Sequence, residues 1–289
     1  VIQPAPDVSV IVPVRNGERS LPALLRSLEA QTFPRGRFEV LIVDNDSSDR
    51  TTEVAAEHGV RVVHEPVRSR SRARNRGARA AGSRLFAFTD VDCVADPGWL
   101  GALVAAGHRA PLVAGEVRLV TSPTPNAIER FEALWRFGQA AWVEQGWAAA
   151  ANLLVHADAF EAIGGFDPAY RHFGEDADFC LRAGSAGYGI AYCAEAIVEH
   201  RGERDVTRFA RRCFMHGYGA SQALHRVGVG ARAWRAPLPA LTGDRALRQF
   251  GHMPARFDER EWRRMARLAR LGYAARIAGS VWAEVRRAR

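Results

Sequence analysis

Four short apolar runs, each ending in polar residues and separated by helix-patterned segments, constrain this chain more than any other feature. Val8 to Pro13, Phe38 to Asp44, Val60 to His64 and Leu85 to Asp90 read as strands with no interior Pro or Gly. Between them Leu21, Leu24, Leu25 and Leu28 recur at helical spacing after Ser20, a suitable cap, and Ala73 to Ala81 reads as a further helix. Alternation of this kind predicts a parallel sheet covered by helices, and such sheets place ligands at the carboxyl ends of their strands. At those ends stand Arg15-Asn16-Gly17, the run from Asp44 to Asp49, and Asp90-Val91-Asp92.

Beyond Asp92 the alternation loosens. The pattern predicts a helix from Pro97, a strand near Val113 to Leu119, an aromatic helix through Trp135 and Trp142, and a strand near Ala149 to His156. Gly164-Gly165-Phe166-Asp167 reads as a turn, and Glu175 to Arg182 as a helix whose acidic first turn favours its amino end. Val206 to Arg226 and Glu259 to Ala288 are further helices, with a linker expected around Pro237, Pro239 and Gly243. The expected organisation is an α/β domain over residues 1–205, divided into halves at 1–95 and 96–205, followed by a helical extension over 206–289.

A hydrophobic content of 47% is ample for a buried core. No apolar run approaches the roughly 18 residues of a membrane-spanning helix. With no leader pattern at the amino end, cytoplasmic residence is expected, with attachment to the inner face of a membrane as the variant. The formal charge of +8 is uneven: Gly251 to Arg289 carries ten Arg against Asp258, Glu259, Glu261 and Glu284. A nucleic-acid module would interleave such a tail with exposed aromatics. Here Trp262, Tyr273 and Trp282 recur with Met265, Leu268 and Ile277 as an amphipathic stripe, so no nucleic-acid partner is expected. Packing on its own domain, a homodimer or peripheral membrane contact are the roles open to it. Cys93, Cys180, Cys193 and Cys213 have neither paired nor zinc-binding spacing and read as free, buried thiols.

A strand ending in Asp-x-Asp sets two carboxylates on one side of an extended chain at the sheet rim, which suits a hard divalent cation. Taken alone, Asp90-Val91-Asp92 also fits a solvated turn, Glu175-Asp176-Ala177-Asp178 an acidic helix start, and His200 a surface or core histidine.

Taken together and in order, these segments resemble the family-two glycosyltransferases. The resemblance rests on Val8 through Asn16, Leu41 through Thr51, Ala73 through Ala78, Thr89-Asp90-Val91-Asp92, Asn152 through Val155, Gly164 through Asp167 and Gly174 through Asp178. It spans about Val8 to His200 and implies a GT-A fold, a Rossmann-like, mostly parallel sheet flanked by helices, here with a C-terminal helical extension. It implies a nucleoside diphosphate sugar as donor and a small molecule, glycan or lipid-linked molecule as acceptor. Pro13, Arg15 and Asp44 would line the base and ribose pocket, and Asp44 would accept the imide N–H of uracil or thymine, a donor guanine also offers. Arg70 or Arg74 would approach the diphosphate. Asp90 would meet ribose or metal, and Asp92 with His200 would hold Mn²⁺ or Mg²⁺, the imidazole favouring Mn²⁺. For inverting displacement Asp176 would be the base, with Glu175 orienting the acceptor or a nearby helix end, Asn152 on the acceptor side and Asp178 structural through Arg182. From its aromatic face, Trp142 would stack on a sugar or an apolar acceptor, with core packing as the alternative. A retaining transferase is the nearest alternative. A nucleotidyltransferase would need a glycine-rich phosphate loop, and Asn16-Gly17-Glu18-Arg19 has one glycine.

Overall fold

The structure, a computed structural model, describes residues 5–135, 138–170, 173–226 and 259–287. Strands β1 (Val8–Val14), β2 (Phe38–Asp44), β3 (Arg61–His64) and β4 (Leu85–Thr89) are connected through helices α1 (Leu21–Glu29), α2 (Thr51–Glu57) and α3 (Arg70–Ala80). Then follow β5 (Cys93–Ala95), α4 (Trp99–Gly107), β6 (Leu112–Val120), α5 (Ala127–Trp135), α6 (Gln139–Glu144), β7 (Asn152–His156), α7 (Ala157–Ala162), α8 (Glu175–Ser185) and β8 (Ile190–Arg201). Two long helices complete the order, α9 (Val206–Arg226) and α10 (Glu259–Arg287). The expected linker at Pro237, Pro239 and Gly243, and Ala288, lie outside the described residues.

Eight strands form one sheet in the order β3-β2-β1-β4-β7-β6-β8-β5. The parallel expectation holds for its first four strands, since β1 pairs in parallel with β2 and β4, and β2 with β3. The other half is antiparallel through the pairs β4 with β7, β7 with β6, and β5 with β8. The sheet is therefore mixed. Parallel strands covered on both faces need apolar residues in every position, and Val10, Ile11, Val12, Leu41, Ile42 and Val43 are each 0% exposed. Because successive side chains alternate sides, Val8, Val10 and Val12 pack with Leu21, Leu24, Leu25 and Leu28 of α1, whereas Ile11, Leu41 and Val43 share the other core with Phe86, Phe88, Phe160 and Phe166.

Helix starts follow local chemistry. Ser20 stands before α1 without a side-chain capping bond, and the proline in the first turn supplies the helical φ instead. Helix α3 begins three residues earlier than expected because Ser69 caps it, its side chain accepting the Arg72 N–H. The helix expected through Trp135 and Trp142 is two, interrupted at Gly138, whose backbone (φ −84°, ψ 49°) is not helical.

The chain divides into two compact units: Val1–Arg118 with Phe137–Arg171 and Glu175–His200, and Leu119–Arg136 with His172–Gly174 and Arg201–Arg289. The second, helical unit thus takes in α5 as well as α9 and α10. Its core gathers Ile128, Phe131, Phe209, Met265 and Ala269, with the Phe131 and Phe209 rings edge to face at 5.8 Å. Helices α9 and α10 meet backbone to backbone: a Cβ on Gly217 would collide with the Arg276 carbonyl, and one on Gly279 with that of Phe214. Ser280 Oγ donates to the Gly217 carbonyl across this seam at 3.0 Å. Among the described residues no helix is long and apolar enough to cross a membrane.

Candidate active site

The end of β4 builds the centre of the site. Thr89 is fully buried and donates its hydroxyl to the Ala151 carbonyl at 2.9 Å, which fixes where the strand stops. A tight turn follows, closed by the Cys93 N–H on the Asp90 carbonyl at 3.1 Å, and the chain re-enters the sheet as β5. Antiparallel pairing then sets Cys93 opposite His200 of β8. Asp92 Oδ1 consequently stands 3.4 Å from His200 Nε2, with the Asp92 side chain 44% exposed.

Together with Cys93 Sγ, these ligand atoms lie within 4.8 Å of one another. A carboxylate and an imidazole, open on one side, suit a divalent cation that completes its shell with phosphate oxygens and water. The thiol is a different matter. Burial, then Asp92 and Asp90, push it well above the usual cysteine range, so Cys93 packs as a neutral group.

Asp90 turns the other way. Its Oδ1 accepts Arg74 Nη2 at 3.1 Å, and Arg74 Nη1 donates to Glu175 Oε1 at 2.7 Å. Arg74 is 2% exposed and Glu175 3%, with the Asp90 side chain 26% exposed, so the guanidinium and one carboxylate are buried in a bridge from α3 to the end of β4 and the start of α8. The guanidinium also lies 5.3 Å from the centre of the Phe166 ring, and its Nε has no hydrogen-bond partner. Burial alone would weaken its charge, but Asp90, Glu175 and Asp176 outweigh that and raise its pKa. Burial likewise acts to raise Asp90, and the Arg74 and then Arg70 guanidiniums hold its carboxyl below the usual carboxylate range.

Three of the expected site residues lie inside the protein. Arg74 is a buried strut between Asp90 and Glu175. Glu175 is buried at the start of α8 with its carboxylate on Arg74. Asn152 is fully buried: Nδ2 donates to the Glu116 and Ala196 carbonyls, both at 2.8 Å, while Oδ1 accepts the Trp99 indole N–H at 2.8 Å. With its amide so engaged, Asn152 ties β7 into the sheet. Asp178 is structural as expected, fully buried between Arg182 Nε at 2.7 Å and the Tyr170 hydroxyl at 3.1 Å.

Asp176 occupies the first turn of α8, half-buried beside Glu175. Burial, then the Glu175 carboxylate, push its carboxyl up to about 6, against the opposing pull of Arg74. A carboxylate raised this far is ionised at neutral pH yet basic enough to take a proton.

At the far end of the strand row Asp44 closes β2, its carboxylate 5% exposed. Oδ1 accepts the Ser47 N–H at 3.3 Å and Oδ2 lies 3.1 Å from Nδ1 of His64, its register partner on β3. The loops after β1 and β2 are cross-braced: Asn16 Oδ1 accepts the Ser48 N–H at 2.8 Å, and Thr51 Oγ1 the Gly17 N–H at 2.8 Å. Pro13 is half-buried in β1, whereas Arg15 and Arg70 are exposed at the ends of β1 and α3. Trp142 of α6 stacks on Trp147, ring centres 4.5 Å apart.

Sequence reasoning missed His64, which touches Asp44, and Asn75, which exchanges two hydrogen bonds with the Phe166 backbone at 2.7 and 2.9 Å and so stitches α3 to the turn ahead of α8. That turn needs glycine at Gly165, where φ is +72° and a Cβ would stand 2.7 Å from Asn75 Oδ1.

Residues 9–149 match the family model described as glycosyl transferase family 2, and residues 134–283 match glycosyl transferase family group 2. The chain is 29% identical over 235 residues to Glycosyltransferase AglE of Haloferax volcanii, covering 78% of this chain and 77% of that one. It is 31% identical over 236 residues to the pre-mycofactocin glycosyltransferase of Mycobacterium tuberculosis, covering 75% of this chain but 48% of that relative's length. Among solved structures, the fold is similar to mannosyltransferase PcManGT from Pyrobaculum calidifontis in complex with GDP-Man and Mn²⁺, with a TM-score of 0.61 and 19% identity over 96% of this chain and 87% of that one. It is also similar to S. aureus TarS in complex with UDP, with a TM-score of 0.54 and 17% identity over 97% and 91% of the two chains.

Proposed function

The chain belongs to glycosyl transferase family 2, and from that premise we propose that it transfers a sugar from a nucleoside diphosphate donor to an acceptor hydroxyl, inverting the anomeric carbon, with a divalent metal at Asp92 and His200. The observation that carries this reading is the division of labour among four carboxylates. Asp90 and Glu175 pair with Arg74, Asp92 stands open beside His200, and Asp176 is raised toward neutrality.

An imidazole ligand favours Mn²⁺ over Mg²⁺, in keeping with the Mn²⁺ complex of the Pyrobaculum mannosyltransferase. When bound, such an ion would supply positive charge to the departing diphosphate. Arg70 takes the diphosphate role. Pro13, Arg15 and Asp44 receive the nucleoside, Asp44 offering the spare lone pairs of its two oxygens to an imide N–H. Uracil and thymine suit that acceptor, and guanine carries an equivalent donor, so UDP, dTDP and GDP sugars are the candidate donors.

Asp176 removes the proton from the acceptor hydroxyl as its oxygen forms the new bond to the anomeric carbon and the bond to the diphosphate breaks; the proton ends on the Asp176 carboxyl. The stacked Trp142 and Trp147 rings offer an apolar face for an acceptor.

The test is a screen of UDP-, dTDP- and GDP-sugars for Mn²⁺-dependent thermal stabilisation and release of nucleoside diphosphate, run beside Asp92→Ala. At least one donor should stabilise the parent with metal and lose most of that effect in the variant. Stabilisation that is the same in both proteins would remove Asp92 from the metal site.

A further inference from the structure

Helix α10 presents two unlike sides. At about 100° per residue, Met265, Ala266, Ala269, Gly272, Gly279 and Ala283 share one side, and all are buried in the helical unit, where α10 packs on α9 and α5. The opposite side is exposed and divided lengthwise. Arg260, Arg263, Arg264, Arg267 and Arg270 occupy its first three turns, all exposed. Leu271, Val281, Trp282 and Val285 continue the same side at 40%, 55%, 48% and 41% exposure, with exposed Ala274 and Ala278 between them. These eleven positions fall within an arc of roughly 120°. The basic stretch is about 15 Å long and the apolar stretch about 21 Å.

Two further details mark this face. Among the described residues, Arg260, Arg263, Arg264 and Arg267 line an open concavity of about 640 Å³, and a smaller one of about 240 Å³ beside Arg264 adds Arg130 of α5. At the other end the Arg286 guanidinium lies 5.5 Å from the centre of the Trp282 ring, so an indole and a cation are held together at the edge of the apolar stretch.

We propose that this face of α10 docks on an anionic phospholipid bilayer. The arginines meet headgroup phosphates, and Leu271, Val281, Trp282 and Val285 enter the acyl boundary, with the Trp282–Arg286 pair at the level where ring and charge are both satisfied. Charge complementarity selects this occupant. A second copy would bring its own row of five arginines to a face whose described side chains include no acid, and parallel pairing would stack arginine on arginine. A nucleic acid would satisfy the arginines and leave the apolar 21 Å stretch (about 14 residues of helical rise) in water. The inference does not depend on the assignment of metal, donor or base.

The experiment is co-sedimentation of the full chain with vesicles of phosphatidylcholine alone and of phosphatidylcholine containing about one third phosphatidylglycerol, a content that gives a strongly negative surface. Retention on the anionic vesicles should exceed that on the neutral ones by about tenfold or more and fall in high salt. Arg263→Gln with Arg267→Gln should abolish most of that preference, roughly a tenfold loss. Trp282→Glu with Val281→Ser should weaken retention at every salt concentration, because the apolar contribution is not screened. Both double variants lie outside the catalytic machinery and should keep the parent's thermal midpoint and nucleoside diphosphate release, which separates surface loss from misfolding. Equal retention on both vesicle types, no retention on either, a dimer in solution that Trp282→Glu dissolves, or stronger retention on duplex DNA than on vesicles would each overturn the proposal.

Discussion

Arginine serves the two units of this molecule in opposite ways. In the α/β unit Arg74 is 2% exposed and bound at both ends by Asp90 and Glu175, whereas along α10 of the helical unit five arginines stand exposed on one side. A buried charge cannot lose one partner without leaving the other uncompensated, so the Arg74 bridge acts as a fixed length between three elements. An exposed row loses little when one member is removed and gains its meaning only from what approaches it. Buried ionic pairs therefore specify geometry, and exposed rows specify partners. The contrast yields an ordered set of effects, from chemistry at the buried cluster down to a single side chain of the exposed row.

The largest effect belongs to Asp176, the proposed base. Asp176→Asn keeps size and polarity but cannot take a proton, so nucleotide sugar should bind with metal as in the parent while turnover falls by roughly 10² to 10⁴. In the parent, kcat/KM measured by release of nucleoside diphosphate should decline below a pH of about 6, where the carboxyl becomes protonated. Normal turnover in this variant would move the base elsewhere and bring the retaining mechanism forward.

Next comes the bridge. Arg74→Met removes the cation between Asp90 and Glu175 and should cost about 3 to 5 kcal/mol in urea unfolding, because Glu175 is left as a buried, unpaired charge. Adding Glu175→Gln should recover part of that loss. If Arg74→Met alone unfolds like the parent, the bridge is not structural and the comparison between the two kinds of arginine fails.

The difference between these regions also explains what the sequence revealed. Strands β1 to β4 were legible because parallel strands buried on both faces read as unbroken apolar runs. Helix α2, seven residues with only Thr51 and Ala55 buried, carries too little periodicity to stand out, and β5 is three residues long. Antiparallel entry of β6, β7 and β8 depends on pairing partners far along the chain, which no local pattern records. In the site, the meeting of Asp92 with His200 followed from family resemblance. The burial of Arg74 and Asn152 was not legible, because an alternating row of arginines, or a lone asparagine at a strand start, looks the same whether it faces a ligand or the core. Only helix α3 starting at Arg70 distinguishes Arg74, which it turns inward, from exposed Arg72 and Arg76.

A smaller effect comes from the proton on Asp176. Its native carboxyl holds a proton up to about pH 6, against an ordinary value of 3.8, so the folded state binds that proton more tightly than the unfolded one. Stability from this source is complete below 3.8, falls as pH rises toward 6, and is fully lost above it. Unfolding free energies at pH 4 and pH 7.5 should therefore show Asp176→Asn gaining about 1 to 3 kcal/mol on the parent at the higher pH. A difference independent of pH would mean that Asp176 is more hydrated than its burial implies.

The smallest effect sharpens the comparison from the exposed side. Arg267 lies on the outer side of α10, in the middle of the basic row, and its neighbours at helical spacing, Arg263, Arg264, Arg270 and Leu271, are exposed with it. Arg267→Gln removes one charge, keeps most of the side-chain stem and retains good helix propensity, so no buried group is left unpaired. Relief of repulsion from Arg263, Arg264 and Arg270 should offset what little is lost, because like charges three or four residues apart on a helix destabilise it. The unfolding free energy should stay within about 0.5 kcal/mol of the parent at low salt, with any small gain fading as salt is added. A loss of several kcal/mol, on the scale expected for Arg74→Met, would show that Arg267 is buried against something in the folded protein, and the exposed row would then have to be read as an internal interface.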